Sequence, residues 1–435
     1  LDSDLEVRLA RLDTVVAHFP EDAYARLLLA EELYHRGPLV GRDLDEAVRA
    51  MSDAVDLDST LALGIDHLVA APIRMGRRSE VEQALELRRR VALKPSPGDP
   101  DVGALLRLAY NERFLPPWWN RLRRRILAWT ADSAQLDGLR KVARTGVPWF
   151  DIPETQLALC GLLLETADPA PALRAAAHEG RGLALLALGR PAAALHEIDS
   201  AAGLLGSAEA RLEAAEWRAI LPILGLPAAI EVGDTAWRGV LETLVVDPEL
   251  GARAAWALAL GSGAAGDSVA ARRWAERLDP ESTRGGALAG LARAVEEAGH
   301  GRLEQALQIS DSLRRHFNVT HPPDPFSGAV FHLLRGDWLL SQGNPARADR
   351  EWLWYEGGDF DGWPAGPAQA GEIDGALGVY ARLKRGAAGM ASAGSAADSS
   401  AACGWITRVT ELWREAEPVM RPLVARADSL ARSCP

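Results

Sequence analysis

Three residues that can ligate zinc occur close together in the segment RHFNVTHPPDP, residues 315–325. His316, His321 and Asp324 offer two imidazoles and a carboxylate, which are ligand types that Zn²⁺ accepts. The two histidines are separated by four residues within a Pro-rich stretch, whereas zinc ligands on one helix face recur every fourth residue. The pattern therefore favours an exposed loop between helices, and we expect no bound metal and no cofactor.

A second group of possible ligands lies in the Gly/Pro-rich segment WYEGGDFDGWPAGPAQAGEIDG, residues 354–375. Four of its acidic residues could suggest a calcium site: Asp359, Asp361, Glu372 and Asp374. An EF-hand loop needs ligands at positions 1, 3 and 5 with glycine at 6, whereas DFDGWP has glycine fourth and lacks the third ligand. The segment is typical of a structured acidic loop held by its own aromatic residues. Enclosure of a small molecule by this loop is the alternative.

Three cysteines are present: Cys160, Cys403 and Cys434. They form no CxxC pair and no Cys/His cluster with metal-binding spacing. Cys160 lies in the apolar segment TQLALCGLLL and is typical of a buried core position. Cys403 and Cys434 flank the last segment of the chain, where they either form a disulfide or remain unrelated thiols. A disulfide would indicate an extracytoplasmic compartment, and free thiols a cytoplasmic one.

No catalytic signature is present in the sequence. The nucleophile elbow, the HExxH motif, the Walker A loop and the dinucleotide-binding glycine pattern are all missing. The formal net charge of −12 opposes general binding to nucleic acid. No apolar run of about 18 residues predicts a transmembrane helix. We therefore predict a chain that is not an enzyme, does not bind nucleic acid and does not span a membrane.

A Trp- and Arg-rich segment, LPPWWNRLRRRILAW at residues 115–129, combines two kinds of binding residue. Trp118, Leu122, Ile126 and Trp129 share one helix face, and arginines occupy the remainder. Such a helix could lie at a membrane surface or bind phosphate. The simpler interpretation is a helix that buries its tryptophans and leaves its arginines in water or paired with acidic residues.

The elements that carry these residues are predicted to be helices throughout. Few segments alternate apolar and polar residues with β-branched side chains, as strands do. Helical periodicity is nearly continuous and is interrupted by Gly and Pro at short intervals. Many short helices with short connections are typical of an all-α fold of the α-solenoid type.

A repeated frame of small and large residues supports this fold. In residues 179–205 the turn glycine is Gly189, with Gly182 before it and Ala194 after it. Small residues at these positions allow two helices to approach closely, and larger residues fill the groove between them. The frame recurs around Gly343 and, with a longer turn, after Gly37. The further positions of the Gly189 copy are Leu185, Ile198 and Ala201. Those of the Gly343 copy are Gly336, Leu339, Ala348, Trp352 and Tyr355, and those of the Gly37 copy are Ala30, Leu33, Ala47, Met51 and Ala54.

This frame resembles the tetratricopeptide repeat (TPR), a helix pair of 34 residues. The resemblance implies a right-handed superhelix of TPR-like helix pairs. Residues 33–47 and 406–431 are also similar to TPR regions that follow kinase domains in some bacterial serine/threonine kinases and related regulators. No kinase motif is present, so the resemblance implies no phosphotransfer. Because the sequence starts at Leu1 without a methionine or a signal-like segment, we expect either a processed mature chain or a piece of a longer polypeptide.

The domain organisation follows from the frame and from composition. We predict a TPR-like α-solenoid over residues 1–384, either as one array or as two sub-arrays with a break near 130–170. Residues 385–402 are small and low in complexity, which predicts a linker. Residues 403–435 contain two helical segments around Pro418 and Pro422 and are predicted to cap the solenoid.

The function that the resemblance implies is a non-catalytic scaffold or adaptor with a protein or peptide partner. The first helix of each TPR unit commonly lines a concave binding face. The alternatives are a self-assembling structural protein that forms a filament or homo-oligomer, and the ligand-sensing region of a larger signalling protein. By the resemblance, the partner-binding residues are Leu183, Leu186, Leu333, Asp337 and Leu340.

Overall fold

The computed structural model describes residues 5–91, 152–165, 171–226, 236–278, 283–317, 325–356, 370–392 and 396–434. Within these ranges the secondary structure is helical and includes no strand, as the periodicity predicts. The Trp- and Arg-rich segment at 115–129 lies outside the described residues. So do His321, Asp324, Asp359 and Asp361.

The helices are numbered here in chain order. They are α1 (Leu5–His18), α2 (Ala23–Arg36), α3 (Leu44–Leu57), α4 (Ala62–Arg74), α5 (Arg78–Val91), α6 (Pro153–Glu165), α7 (Pro171–Ala187), α8 (Pro191–Leu205), α9 (Ala208–Ile220), α10 (Ala236–Leu244), α11 (Gly251–Ala264), α12 (Ser268–Ala275), α13 (Thr283–Gly299), α14 (Leu303–Phe317), α15 (Pro325–Ser341), α16 (Pro345–Leu353), α17 (Ala370–Ser392), α18 (Ala396–Leu412) and α19 (Arg421–Arg432). Short 3₁₀ turns cover Gly37–Val40, Trp354–Glu356, Trp413–Glu415 and Pro418–Met420.

Local sequence signals fix where these helices begin. The side chains of Asp22, Asp43, Ser207 and Asp267 each accept a hydrogen bond from the backbone N–H three residues later, which would otherwise lack a partner. Five other helices begin with proline, whose fixed φ suits the first helical position. These prolines are Pro153, Pro171, Pro191, Pro325 and Pro345.

Glycines in the left-handed conformation end the first helix of several pairs. Gly189 and Gly343 have φ of 70° and 75°, as their predicted turn positions require. In each turn the following residue donates a backbone hydrogen bond to a carbonyl five residues earlier, Arg190 to Leu185 and Asn344 to Leu339. The early turn differs in detail: Gly37 has an ordinary helical φ of −52°. There the left-handed residue is Gly41, which ends the inserted 3₁₀ turn.

The small and large residues of the repeated frame form the core between paired helices. Ala194, Ala348 and Trp352 have no exposed surface. The other frame positions predicted from the sequence are also buried, which confirms the frame for these three helix pairs. They are Ala30, Leu33, Ala47, Met51, Ala54, Leu185, Ile198, Ala201, Leu339 and Tyr355.

The order of helix contacts defines the fold class. The chain divides into two compact units, Leu1–Ala184 with Glu356–Trp363 and Leu185–Tyr355 with Pro364–Pro435. In the first unit, α2 packs on α3 and also on α4. In the second, each of α9, α11, α13 and α15 packs on its own partner and on the first helix of the next pair. Each pair therefore covers the apolar side of the next, which is the α-solenoid arrangement.

Buried ion pairs connect elements of the second unit. Glu216 in α9 and Arg253 in α11 are both buried, and the guanidinium donates to both carboxylate oxygens at 2.6 and 3.1 Å. Arg335 in α15 has no exposed surface; it donates to Glu351 in α16 at 2.8 Å and to Asp311 in α14 at 2.6 Å. Removing one member would leave a buried charge without its partner, which is strongly destabilising.

The structure corrects the predicted linker at 385–402. Residues 385–392 belong to α17, and residues 396–402 form the first part of α18, which continues through Cys403. The small residues let the two helices approach closely. A β-carbon at Gly386 would lie 2.6 Å from Ile406, and one at Gly389 would lie 3.0 Å from Ala402. Low complexity here reflects tight helix packing, which the composition of a flexible connector imitates.

The C-terminal segment contacts the beginning of the second unit as well as α17. The indole N–H of Trp413 donates to the carbonyl of Ala187 at 3.0 Å. The backbone N–H of Glu417 donates to the carbonyl of Gly189 at 3.0 Å, and its carboxylate accepts hydrogen bonds from the N–H groups of Ala192 and Ala193. Glu417 thus caps the N-terminus of α8 from more than two hundred residues away.

Candidate functional site

The predicted partner-binding residues lie in two helices, α7 and α15. Leu183, Leu186 and Leu333 are buried, with exposed fractions of 1%, 0% and 0%. A partner reaches such side chains only if neighbouring helices separate. Asp337 and Leu340 are half-buried. Contact of all five residues with a partner stays a prediction, and only Asp337 and Leu340 have accessible surface.

Asp337 already has a partner within the chain. The ammonium group of Lys384 in α17 lies 2.7 and 2.8 Å from its two carboxylate oxygens. The sequence contains only three lysines, and this one connects α15 to α17 at a site with partial access to water. A partner that binds Asp337 must therefore compete with Lys384 or contact the ion pair as a unit.

Exposed apolar side chains are concentrated in the first helix pair, α1 and α2. Phe19 and Tyr24 are 61% and 64% exposed, and Val15 and Leu28 lie four residues before and after them. Asp22 N–H donates to the Phe19 carbonyl at 3.1 Å, which closes a tight turn between the two helices. The four side chains, called here the first-hairpin patch, therefore belong to one end of the pair. Clustered exposed aromatic residues often mark a protein interaction surface.

A cluster of imidazole and carboxylate groups joins α2 to α4. Nε2 of His35 lies 3.2 Å from Nε2 of His67 and 3.6 Å from a carboxylate oxygen of Glu31. Nδ1 of His67 lies 3.6 Å from the other carboxylate oxygen. The ring of Tyr34 packs edge-on against both imidazoles, with centroid distances of 4.9 and 4.3 Å. One ligand atom from each of Glu31, His35 and His67 lies within 4.8 Å of the others.

The electrostatics of this cluster favour an ionised carboxylate. Burial alone would raise the pKa of Glu31, but the hydrogen bond with His35 and the nearby charges of His67 and His35 lower it overall. One oxygen, Oε1, is buried and has no hydrogen-bond partner. Burial raises the pKa of Tyr34 to about 12, so its phenol stays protonated. The cluster thus places a carboxylate beside two imidazoles, and all three side chains are partly accessible to solvent.

Sequence analysis missed this cluster. The spacing of Glu31 and His35 is the one that places two side chains on the same face of a helix. That signal identifies two members. His67 lies 32 residues further on, and only the packing of α4 on α2 brings it to them. The zinc candidate that the sequence did suggest has only His316 among the described residues.

The cysteines have two different environments. Cys403 in α18 and Cys434 after α19 form a disulfide with a Cα–Cα distance of 5.7 Å. Cys160 in α6 is buried and is not part of a disulfide, as its apolar surroundings predict. The disulfide joins two helices that also pack on one another, and it lies apart in sequence from every predicted partner contact.

The helix contacts and the turn geometry define an all-α solenoid of TPR-like helix pairs. No protein-family model matches the sequence, and a search of curated proteins finds no match. The chain is similar in structure to yeast Tom70, with 10% identity, coverage of 99% of this chain and 88% of the other, and a TM-score of 0.36.

Two further solved structures show a likeness of the same kind. For the P58(IPK) TPR domain the identity is 12%, the coverage 99% and 94%, and the TM-score 0.24. For the Naa15/Naa10 complex bound to HypK-THB the values are 13%, 98% and 72%, and 0.22. At these scores the fold assignment depends on the helix contacts of the chain itself. Within the described part of the chain, no helix is long and apolar enough to cross a membrane.

Proposed function

We propose that this protein is a non-catalytic interaction scaffold, and that the first-hairpin patch contacts an apolar surface of a protein partner. The supporting observation is the exposure of Phe19 and Tyr24, two large aromatic side chains beside one turn. Aromatic residues bury much area with few rotatable bonds, so they contribute disproportionately to binding.

The exposed side chains of the first-hairpin patch do not contribute to the core of their own helix pair. In α2, Leu27, Leu29 and Leu33 are buried, while Tyr24 and Leu28 point elsewhere and remain exposed. The helix therefore presents one apolar face to its own core and a second to the exterior. An isolated exposed leucine is ordinary, but two aromatic and two aliphatic side chains at one turn favour a docking surface.

Asp337 and Leu340 remain predicted contacts in this proposal, as a second surface on α15. Their partial exposure permits contact without separation of helices. Substitution of Asp337 by asparagine would free Lys384 and remove the carboxylate. If α15 binds the same partner, this variant weakens the complex while the first-hairpin patch is unchanged.

The proposal is tested by quantitative cross-linking and mass spectrometry in lysate of the source cells. Three forms are compared: wild type, the double variant Phe19→Asp/Tyr24→Asp, and the matched control Val246→Asp/Val269→Asp. Val246 and Val269 are also exposed, at 83% and 80%, so neither double variant removes a core contact.

We expect a protein cross-linked to wild type and to the control, and lost from the patch variant. The same partners recovered with all three forms would contradict the patch as the docking site. Sedimentation of the purified forms distinguishes binding to a different protein from self-assembly. If wild type oligomerises and the patch variant is monomeric, the surface binds a second copy, and the adaptor role is rejected.

A further inference from the structure

We infer that Glu31, His35 and His67 form a binding site for a divalent metal ion of the zinc class. The inference goes beyond the scaffold role and does not depend on it. It also departs from the sequence-based expectation that the chain binds no metal. The argument depends on ligand chemistry, on distances and on the helices that carry the three side chains.

The donor set suits such an ion. Two imidazole nitrogens and one carboxylate oxygen are the protein ligands of many zinc sites that leave the fourth position to water. First-row transition ions also prefer this mixture, whereas Mg²⁺ and Ca²⁺ prefer oxygen alone. Glu31 supplies the negative charge of the donor set.

The separations between the possible ligand atoms are short enough for the three side chains to share an ion, because one ligand atom from each lies within 4.8 Å of the others. Two ligands on a tetrahedral ion with bonds of about 2.0–2.1 Å lie about 3.3 Å apart. Nε2 of His35 lies 3.2 Å from Nε2 of His67 and 3.6 Å from Oε2 of Glu31. Nδ1 of His67 lies 3.6 Å from Oε1 of Glu31. Since one imidazole gives one nitrogen to an ion, His67 would bind through either Nε2 or Nδ1, and the side chains would adjust around the ion. The two 3.6 Å contacts are longer than a well-formed hydrogen bond, so the interaction between Glu31 and the imidazoles is mainly electrostatic. They account for the buried Oε1 atom of Glu31 that has no hydrogen-bond donor.

Two helices position the three side chains, which remain partly accessible to solvent. Glu31 and His35 are one turn apart on α2, His67 comes from α4, and Tyr34 holds both rings by edge contacts. The three side chains retain 13–19% of their exposure, which gives an ion a path from solvent. Because α2 and α4 belong to successive helix pairs, a bound ion would tie those pairs together.

The test uses the full chain with any affinity tag removed and metals stripped by a chelator. Isothermal titration with ZnCl₂ measures stoichiometry and affinity. Titration with CoCl₂ reports geometry, because tetrahedral Co²⁺ gives intense visible absorption bands and octahedral aqueous Co²⁺ gives weak ones. We expect one equivalent to bind with micromolar or tighter affinity. We also expect the melting temperature to rise with zinc concentration.

Three variants locate the site: Glu31→Gln, His35→Gln and His67→Gln. Each should weaken zinc binding by roughly tenfold or more, since each removes a ligand. The control His196→Gln removes an exposed histidine in α8 and should bind zinc like wild type. Circular dichroism of each metal-free variant checks the helical fold.

If a variant fails to fold, hydrogen exchange of wild type provides an independent measurement. Zinc should then slow exchange in α2 and α4 and leave α13 and α14 unchanged. Absence of saturable zinc binding to the wild type would overturn the inference. Equal affinity in the His35→Gln and His67→Gln variants, or zinc protection confined to other helices, would overturn it as well. None of these outcomes bears on the first-hairpin patch.

Discussion

Gly336 in α15 lies directly against the indole ring of Trp352 in α16, and a β-carbon at position 336 would come within 2.1 Å of Nε1 of that ring. Trp352 has no exposed surface and donates its indole N–H to the carbonyl of Leu333 at 3.3 Å. The absence of a side chain at position 336 therefore sets how closely these two helices approach.

Because of this close contact, adding a single methyl group at position 336 should have a large effect on stability. Gly336→Ala should lower the free energy of unfolding by about 1–3 kcal/mol, because the buried indole cannot move away without disturbing its neighbours. Urea unfolding followed by circular dichroism measures the change. Gly404→Ala is the control, since nothing lies within 4 Å of a β-carbon in that exposed helical position. It should be neutral or stabilise by up to about 1 kcal/mol. Equal losses in both variants would contradict the packing argument.

The buried Glu351 group predicts loss of stability in acid. Burial would raise its pKa, but the hydrogen bond with His332, at 2.9 Å, and the charges of His332 and Arg335 lower it below 4.5. A depressed pKa contributes stability above the unfolded value, and this contribution disappears as pH falls through the folded value. Burial also lowers the pKa of His332, so protonation below about pH 6.5 further favours unfolding.

Melting temperatures measured between neutral and acidic pH test this prediction. Glu351→Gln should be less stable at neutral pH, because Arg335 loses its buried counter-charge. Its stability should also fall less steeply below about pH 4.5. Glu304→Gln, an exposed substitution in α14, should follow the wild-type curve. Parallel pH curves for wild type and Glu351→Gln would show that this carboxylate does not control acid unfolding.

The cap that Glu417 provides for α8 can be tested by substitution. Its carboxylate accepts two backbone hydrogen bonds at the start of α8, where Arg190 provides no side-chain cap. Glu417→Ala should cost about 1 kcal/mol and speed hydrogen exchange at the N-terminus of α8. Glu242→Ala, on the exposed side of α10, is the control for loss of a surface carboxylate. Unchanged exchange in α8 would argue against the cap.

The disulfide predicts a difference between oxidised and reduced protein. Reduction of Cys403–Cys434, or Cys403→Ser, should lower stability by about 2–4 kcal/mol, because the reduced unfolded chain gains conformational freedom. Intact-mass analysis with thiol alkylation should show one alkylated cysteine after unfolding without reductant and three with it. Alkylation of the native chain tests whether Cys160 is buried, in which case it should react only after unfolding. Alkylation of all three thiols without reductant would exclude the disulfide.

Much of the fold could be predicted from the sequence because helix ends and helix pairs are specified by residues close together in the chain. Turn glycines such as Gly189 and Gly343 need a conformation that other residues rarely adopt, so their positions mark helix ends. The small and large residues around these glycines recur with helical spacing, which indicates the helix faces that pack against each other. The same reasoning failed at Gly386 and Gly389, because small residues are equally typical of flexible chain and of helices in close contact.

The sequence by itself determined the all-α class, the helix pairs and the buried core of the repeated frame, since these depend on contacts within about one turn of helix or between adjacent helices. Only the tertiary structure decided that His67 meets Glu31 and His35, that Glu417 caps α8, and that the predicted contact residues in α7 are buried. Which distant side chains meet depends on how successive pairs stack, and the spacing of residues along the chain carries no record of that geometry.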